Sequence, residues 1–170
     1  MSEIAGQPEY LHVLVIPALT HALPVAVLGL LLALLARSVP AIRLALVLVL
    51  LCAAAAWPAV HYGRAGFDRV RSMADDAGGD WLTLHRYRAE KSISIFVAAA
   101  VTAIATLGAA RWWKKAERPL GWLTLVVALA ACVAAARIAW PAGKVRHREF
   151  RHGEPPAADL QAARAAYPSD

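Results

Sequence analysis

LALVLVLLCAAAA, residues 44–56, has no charged, amide or hydroxyl side chain. A helix on the surface of a soluble bundle carries a polar stripe along one face. This stretch has none, and LTLVVALAACVAAA (123–136) has almost none. Neither shows the period-two alternation of a half-buried strand. Both read as helices with apolar surroundings on every side, which means lipid.

Working outward, four apolar blocks cover 11–36, 44–62, 92–110 and 120–140. Each reaches the roughly 17–25 residues that cross a bilayer core. Backbone in lipid must satisfy its own hydrogen bonds, so each block is expected to be a helix. The composition agrees: 59% hydrophobic residues and a mean hydropathy of +0.49 are high for a soluble domain. The predicted fold is therefore all-α and polytopic, with four transmembrane helices as two antiparallel hairpins. An N-terminal segment (1–10) precedes the transmembrane domain (11–152), and a flexible tail (153–170) follows it.

Residues 1–10 carry Glu3 and Glu9 but no Lys or Arg, and the apolar run after them is too long for a signal peptide. The first helix is expected to stay in the mature chain. A formal net charge of +6 could signal nucleic acid, but the cations flank the spans and no RNA or DNA motif is present. They read as topology signals, and nucleic acid is not an expected partner. Loops RSVPAIR (37–43) and RWWKKAERPLG (111–121) are dense in Arg and Lys and almost free of acid. They are expected to face the cytoplasm. Both termini and the loop 63–91 would then be periplasmic, in a bacterial inner membrane. Cys52 and Cys132 lie inside apolar helices and read as small buried hydrophobes. There is no Cys-x-x-Cys-His, so covalent haem attachment is excluded.

Within GFDRVRSMADDAGGDWLTLHRYRAEKS (66–92), apolar residues at 67, 70 and 73 precede Gly78-Gly79, and Trp81, Leu82 and Leu84 follow. This predicts two short amphipathic helices around a Gly-Gly break. The second would run into span three with Asp80 as its N-cap. The tail GEPPAADLQAARAAYPSD (153–170) is expected to be extended or disordered. CAAAAWPAVHYGR (52–64) and CVAAARIAWPAGKVRH (132–147) share Cys, an alanine run, Trp-Pro-Ala and a histidine, a faint internal repeat. The prolines at 58 and 141 suit helix ends. Gly143 is expected to turn the chain with positive φ, folding Lys144, Arg146 and His147 over the outer mouth of the bundle.

All six histidines then fall in the outer half. His21 lies nine residues beyond His12, roughly 13 Å deeper at the helical rise. Pro17 and Pro24 remove backbone donors around it and predict a kink. An imidazole at that depth should face the interior and have a partner. One reading is structural, with His21 bonded to a freed carbonyl or to Ser92, Ser94 or Tyr87. The other is b-type haem, which takes two imidazoles from facing helices and cations for its propionates. His21 and His85 are the candidate axial, metal-binding pair, with His61 and His147 next. Arg137 and Arg146 are the candidate propionate partners. A non-haem metal, a proton path or a quinone pocket are further readings. No nucleophile–base pair, phosphate loop or zinc signature is present, so no catalytic residue is assigned.

HALPVAVLGLLLALL (21–35), LHRYRAEKSISIFVAAA (84–100) and above all AGKVRHREFR (142–151) resemble a bacterial family of small four-helix integral membrane proteins defined only as a domain of unknown function, DUF2231. Such members carry a His near the start of the first helix, another before the third, and a Gly-rich segment with a His after the fourth. This chain departs from that pattern at Ala142, at Pro24 and at Arg148. The resemblance implies the four-helix fold and an outer-side histidine site; it supplies no enzyme class. The expected role is a small haem-binding electron-transfer or accessory subunit, working with other membrane or redox subunits. The alternative is a cofactor-free structural or sensing subunit.

Overall fold

The computed structural model describes residues 6–167, and every regular element in it is helical. Residues 1–5 of the predicted N-terminal segment and 168–170 of the tail lie outside the described residues. Four helical stretches are long and apolar enough to cross a membrane: Pro8–Leu35, Val39–Ala65, Asp76–Trp112 and Lys114–Arg146. Val25, Leu32, Leu51, Val101, Val126 and Val133 turn outward and are more than half exposed. Apolar side chains over so much of the surface suit lipid contact. The chain is a multi-pass membrane protein.

The first span is not one regular helix. Helix α1 (Pro8–Pro17) passes through a π-helical turn, Ala18–Ala22, into α2 (Leu23–Leu35). There the Leu23 N–H reaches back five residues to the Ala18 carbonyl. The expected disturbance around His21 is thus a π turn between two prolines. At the end of the bundle opposite both termini, called the inner end, the chain reverses in three residues. Arg37 adopts φ 55°, its N–H bonding Leu34 O at 3.2 Å, while Ser38 N–H bonds Ala33 O at 3.1 Å. This is a Schellman closure with arginine where glycine is usual.

Span two is α3 (Val39–Ala54) and α4 (Ala56–Ala65), meeting at Ala55. Pro58 has no N–H for the Ala54 carbonyl, which accounts for the break there. A short α5 (Phe67–Ser72) leads to α6 (Asp76–Trp112), then α7 (Glu117–Arg146) and α8 (Ala157–Ala166).

Five expectations are corrected. The break in the 63–91 loop falls at Met73–Asp75, not at Gly78-Gly79, which are helical and buried. The N-cap of α6 is Asp75, whose Oδ1 accepts from Gly78 N–H at 2.8 Å, not Asp80. Pro141 does not end α7. Its missing N–H leaves the Arg137 carbonyl free, and Arg88 Nη1 donates to that carbonyl at 3.2 Å. Gly143 is accordingly helical, and positive φ occurs among the described residues only at Arg37 and Gly153. Finally, Ala157–Ala166 of the tail are helical rather than extended. Arg88 bonds Asp159 at 2.6 Å and Arg164 bonds Asp80 at 2.8 Å, so docking on α6 supplies the order that composition lacks.

At 37 residues α6 is about 55 Å long, against a hydrocarbon core of about 30 Å. Its inner part contacts α7, and the buried residues there include Ala99, Ala103 and Ala110 of α6 and Ala128 and Ala131 of α7. Small residues let the backbones approach closely in lipid. Its outer part carries a second core, in which Trp81, Leu82 and Leu84 meet Val145, with Phe67 and Val70 alongside.

Candidate functional site: a histidine-lined cavity at the outer end

The outer end of the bundle holds a cavity of about 810 Å³ bordered by α1, α4, α6 and α7. That is within the size range of cofactor and ligand pockets, about 300–1,000 Å³. Its walls are mainly apolar, with Ile16, Leu19, Phe96 and Ile138 among them. Three histidines, His12, His21 and His85, line it.

His12 and His85 form a pair. Their ring centres are 6.2 Å apart and their planes stand at 87°. His12 Nδ1 donates to Ala59 O at 2.7 Å, tying α1 to α4. His85 Nδ1 donates to Ile138 O at 2.8 Å, tying α6 to α7. A carbonyl only accepts, so each Nδ1 carries a proton, and in the neutral form of either ring Nε2 is an acceptor. Gly63 makes room for the first ring: a Cβ there would stand 3.0 Å from His12 Nδ1.

His21 differs from the expectation that it faces the interior. It is exposed on the cavity rim, and its Nδ1 lies 2.8 Å from Thr20 Oγ1. The aromatic neighbour of His85 is therefore His12, which the sequence reading left out of the site. The other candidates stand apart. His61 is exposed and stacks on Trp57, with ring centres at 5.4 Å. His147 is exposed beyond the end of α7 and bonds Glu149 at 2.9 Å. Neither lines the cavity, nor does the exposed Arg137, whereas Arg146 does. Arg146 Nη2 contacts Met73 Sδ at 3.2 Å and forms no ion pair among the described residues. Without the turn expected at Gly143, nothing folds His147 back over the mouth.

Glu90, which was not among the expected site residues, is a polar hub on the cavity wall. It accepts from Arg64 at 2.8 Å, Arg86 at 3.1 Å and the Tyr167 hydroxyl at 2.6 Å. The signal was a single carboxylate inside an Arg-rich helical turn. Burial, then the bond to Glu90, pushes the Tyr167 phenol up to about 12.

Above the cavity, Arg151 joins the two longest helices. Its Nε and Nη2 donate to Lys144 O and Val145 O, both at 2.6 Å, satisfying carbonyls at the end of α7. Its Nη1 holds both oxygens of Asp75, at 2.8 and 2.9 Å. The Arg151 guanidinium and then the Gly78 N–H hold the Asp75 carboxyl down to about 2, with Arg148 adding to the effect.

Among the described residues no three His, Cys, Asp or Glu side chains gather at one point, so the nitrogen donors of the cavity act as a pair at most with a third on its rim. Compared with models of known families, with curated proteins and with solved structures, the chain has no match.

Proposed function

We propose that the protein is a small bacterial inner-membrane subunit that holds a b-type haem between His12 and His85 at the periplasmic end of the bundle. The supporting observation is the His12–His85 pair itself. Metal–imidazole bonds are about 2.0 Å, so two ring centres flanking one ion stand roughly 6 Å apart, near the separation seen here. Backbone carbonyls that fix the Nδ1 proton are the usual outer-shell partners of metal-binding imidazoles. The apolar walls favour a flat apolar group. Arg146, on the same wall without a carboxylate of its own, is the propionate partner in this reading. When bound, the haem would supply one-electron transfer. His12 and His85 would orient it, and the apolar walls would keep water from it. Membership of the four-helix family and the periplasmic position of both termini are parts of the same proposal, carried by the residues 21–35, 84–100 and 142–151 and by the basic inner loops.

A second reading has its own support: both histidines already bond backbone carbonyls across helix pairs, as cofactor-free polar glue would. The visible spectrum separates the two. Protein made with ample haem and purified in detergent should show a Soret band and sharp reduced-minus-oxidised α and β bands. His12→Ala and His85→Ala should each abolish them, and His21→Ala should leave them. A wild-type protein without haem bands favours the structural reading.

A further inference from the structure

His21 is 15 residues from Ala36 at the inner turn, about 22 Å along a bilayer core of about 30 Å. It therefore stands on the order of 8 Å below the outer hydrocarbon boundary, while His12 lies at or beyond that boundary. A polar side chain at such depth marks function by default, and π turns gather at functional sites. His21 meets both descriptions, being exposed on the rim of the cavity within the Ala18–Ala22 turn.

Its hydrogen bonds fix what it can bind. The Thr20 hydroxyl has one proton, and Thr20 donates it to Ile16 O at 3.1 Å. Thr20 Oγ1 can then only accept from His21 Nδ1–H, at 2.8 Å. In the neutral ring Nε2 is left as an unprotonated acceptor, on an exposed side chain of an otherwise apolar span. A partner must bring an O–H or N–H to membrane depth. Phospholipid esters have only acceptors, so they do not satisfy it. The hydroquinone ring of a lipid-soluble quinol does: it is flat, carries phenolic O–H donors, and has an apolar tail.

We propose that His21, with its proton position set by Thr20, binds the ring of a membrane quinol through Nε2, the tail lying among the outward apolar side chains of the first span. The site is distinct from the His12–His85 pair and does not require haem.

The test is equilibrium dialysis of detergent-purified full-length protein with a short-tailed benzoquinol, kept reduced under anaerobic conditions, and with the matching benzoquinone. The quinol should bind at least about tenfold more tightly than the quinone, whose oxygens carry no proton for Nε2. His21→Ala should weaken quinol binding by about tenfold or more. His21→Gln, which keeps an acceptor, should restore part of it. Thr20→Val should reduce the preference for quinol over quinone by freeing the ring tautomer, an effect that a merely structural threonine would not have. His61→Ala, exposed and outside the cavity lining, should leave quinol binding unchanged. Equal binding by wild type and His21→Ala, or no retention of the quinol at all, would overturn the inference even in protein that shows haem bands. Retention of the quinol with the predicted His21 dependence in protein without those bands would overturn only the haem reading.

Discussion

Helices α6 and α7 touch along most of their length, and the contact changes character from one end to the other. In the inner half the buried residues of both helices are mostly alanines, and among the described residues a single side-chain hydrogen bond joins the helices, where Thr106 Oγ1 and Thr124 Oγ1 lie 3.0 Å apart. In the outer half, Arg151 bridges the N-cap of one helix and the last carbonyls of the other, and Lys144 sits over the rings of Trp81 and Trp140, 4.3 and 3.6 Å from their centres. Lipid offers no hydrophobic drive toward association, so the inner half relies on close backbone approach. The outer half stands in or near water and can use charge. The two helices still approach closely there, since the Val145 carbonyl fits against Gly78, which has no Cβ. The cavity lies at this end.

The comparison breaks most visibly at Arg151. Arg151→Ala removes four hydrogen bonds from a guanidinium that is 11% exposed and leaves two carbonyls of α7 without it. Charge-assisted bonds of this kind contribute about 1.5–3 kcal/mol each, and truncation should cost about 3 kcal/mol or more. Thermal unfolding in detergent measures this, and Arg151→Lys should recover only part of it because ammonium lacks the fork.

Overpacking tests the inner half. Ala103 is fully buried in the alanine-rich core of the inner half, and Ala103→Leu should cost about 1–3 kcal/mol by overpacking it. The loss should persist unchanged in high salt, whereas the stability contributed by the outer ion pairs should fall.

The smallest effect should come from titration, and only in the outer half. Asp75 ionises near 2 in the fold and near about 3.9 when unfolded. Its contribution is therefore full above about pH 4 and is lost as pH falls toward 2. Tyr167 runs the other way: raised to about 12 from about 10, it contributes below pH 10 and loses that contribution as pH rises toward 12. Hydrogen exchange at acid and alkaline pH should show α8 and the outer part of α6 opening before residues 99–110.

The four spans were legible in sequence because length and apolar density are properties of the chain alone. Their outer ends were not. Beyond the lipid boundary a helix carries Arg, Asp and Glu without losing its hydrogen bonds, and hydropathy stops reporting it. Gly78 and Gly79 read as a break, yet their missing side chains admit the Val145 carbonyl and the Arg71 guanidinium, each of which a Cβ would meet at 2.4 Å. Pro141 read as a helix end because nothing local shows that Arg88, 53 residues earlier, satisfies the carbonyl it frees. His85 was legible as a site residue, since it opens an apolar span. Its neighbour His12 was not, because Ala59 and Gly63, which receive it, are distinguished only by being small.

The Arg151 bridge also orders the assembly of the chain. Asp75 and Gly78 are synthesised early, and the residue that secures them comes 76 positions after Asp75, beyond the last span. Until the fourth span has inserted and this arginine has reached Asp75, the outer third of α6 has an N-cap but no clamp, and Trp81 lacks the Val145 and Lys144 neighbours that cover it. A chain stalled or inverted at its fourth span would display that tryptophan and an open helix end to proteases. The bridge thereby makes completed insertion a condition for resisting degradation.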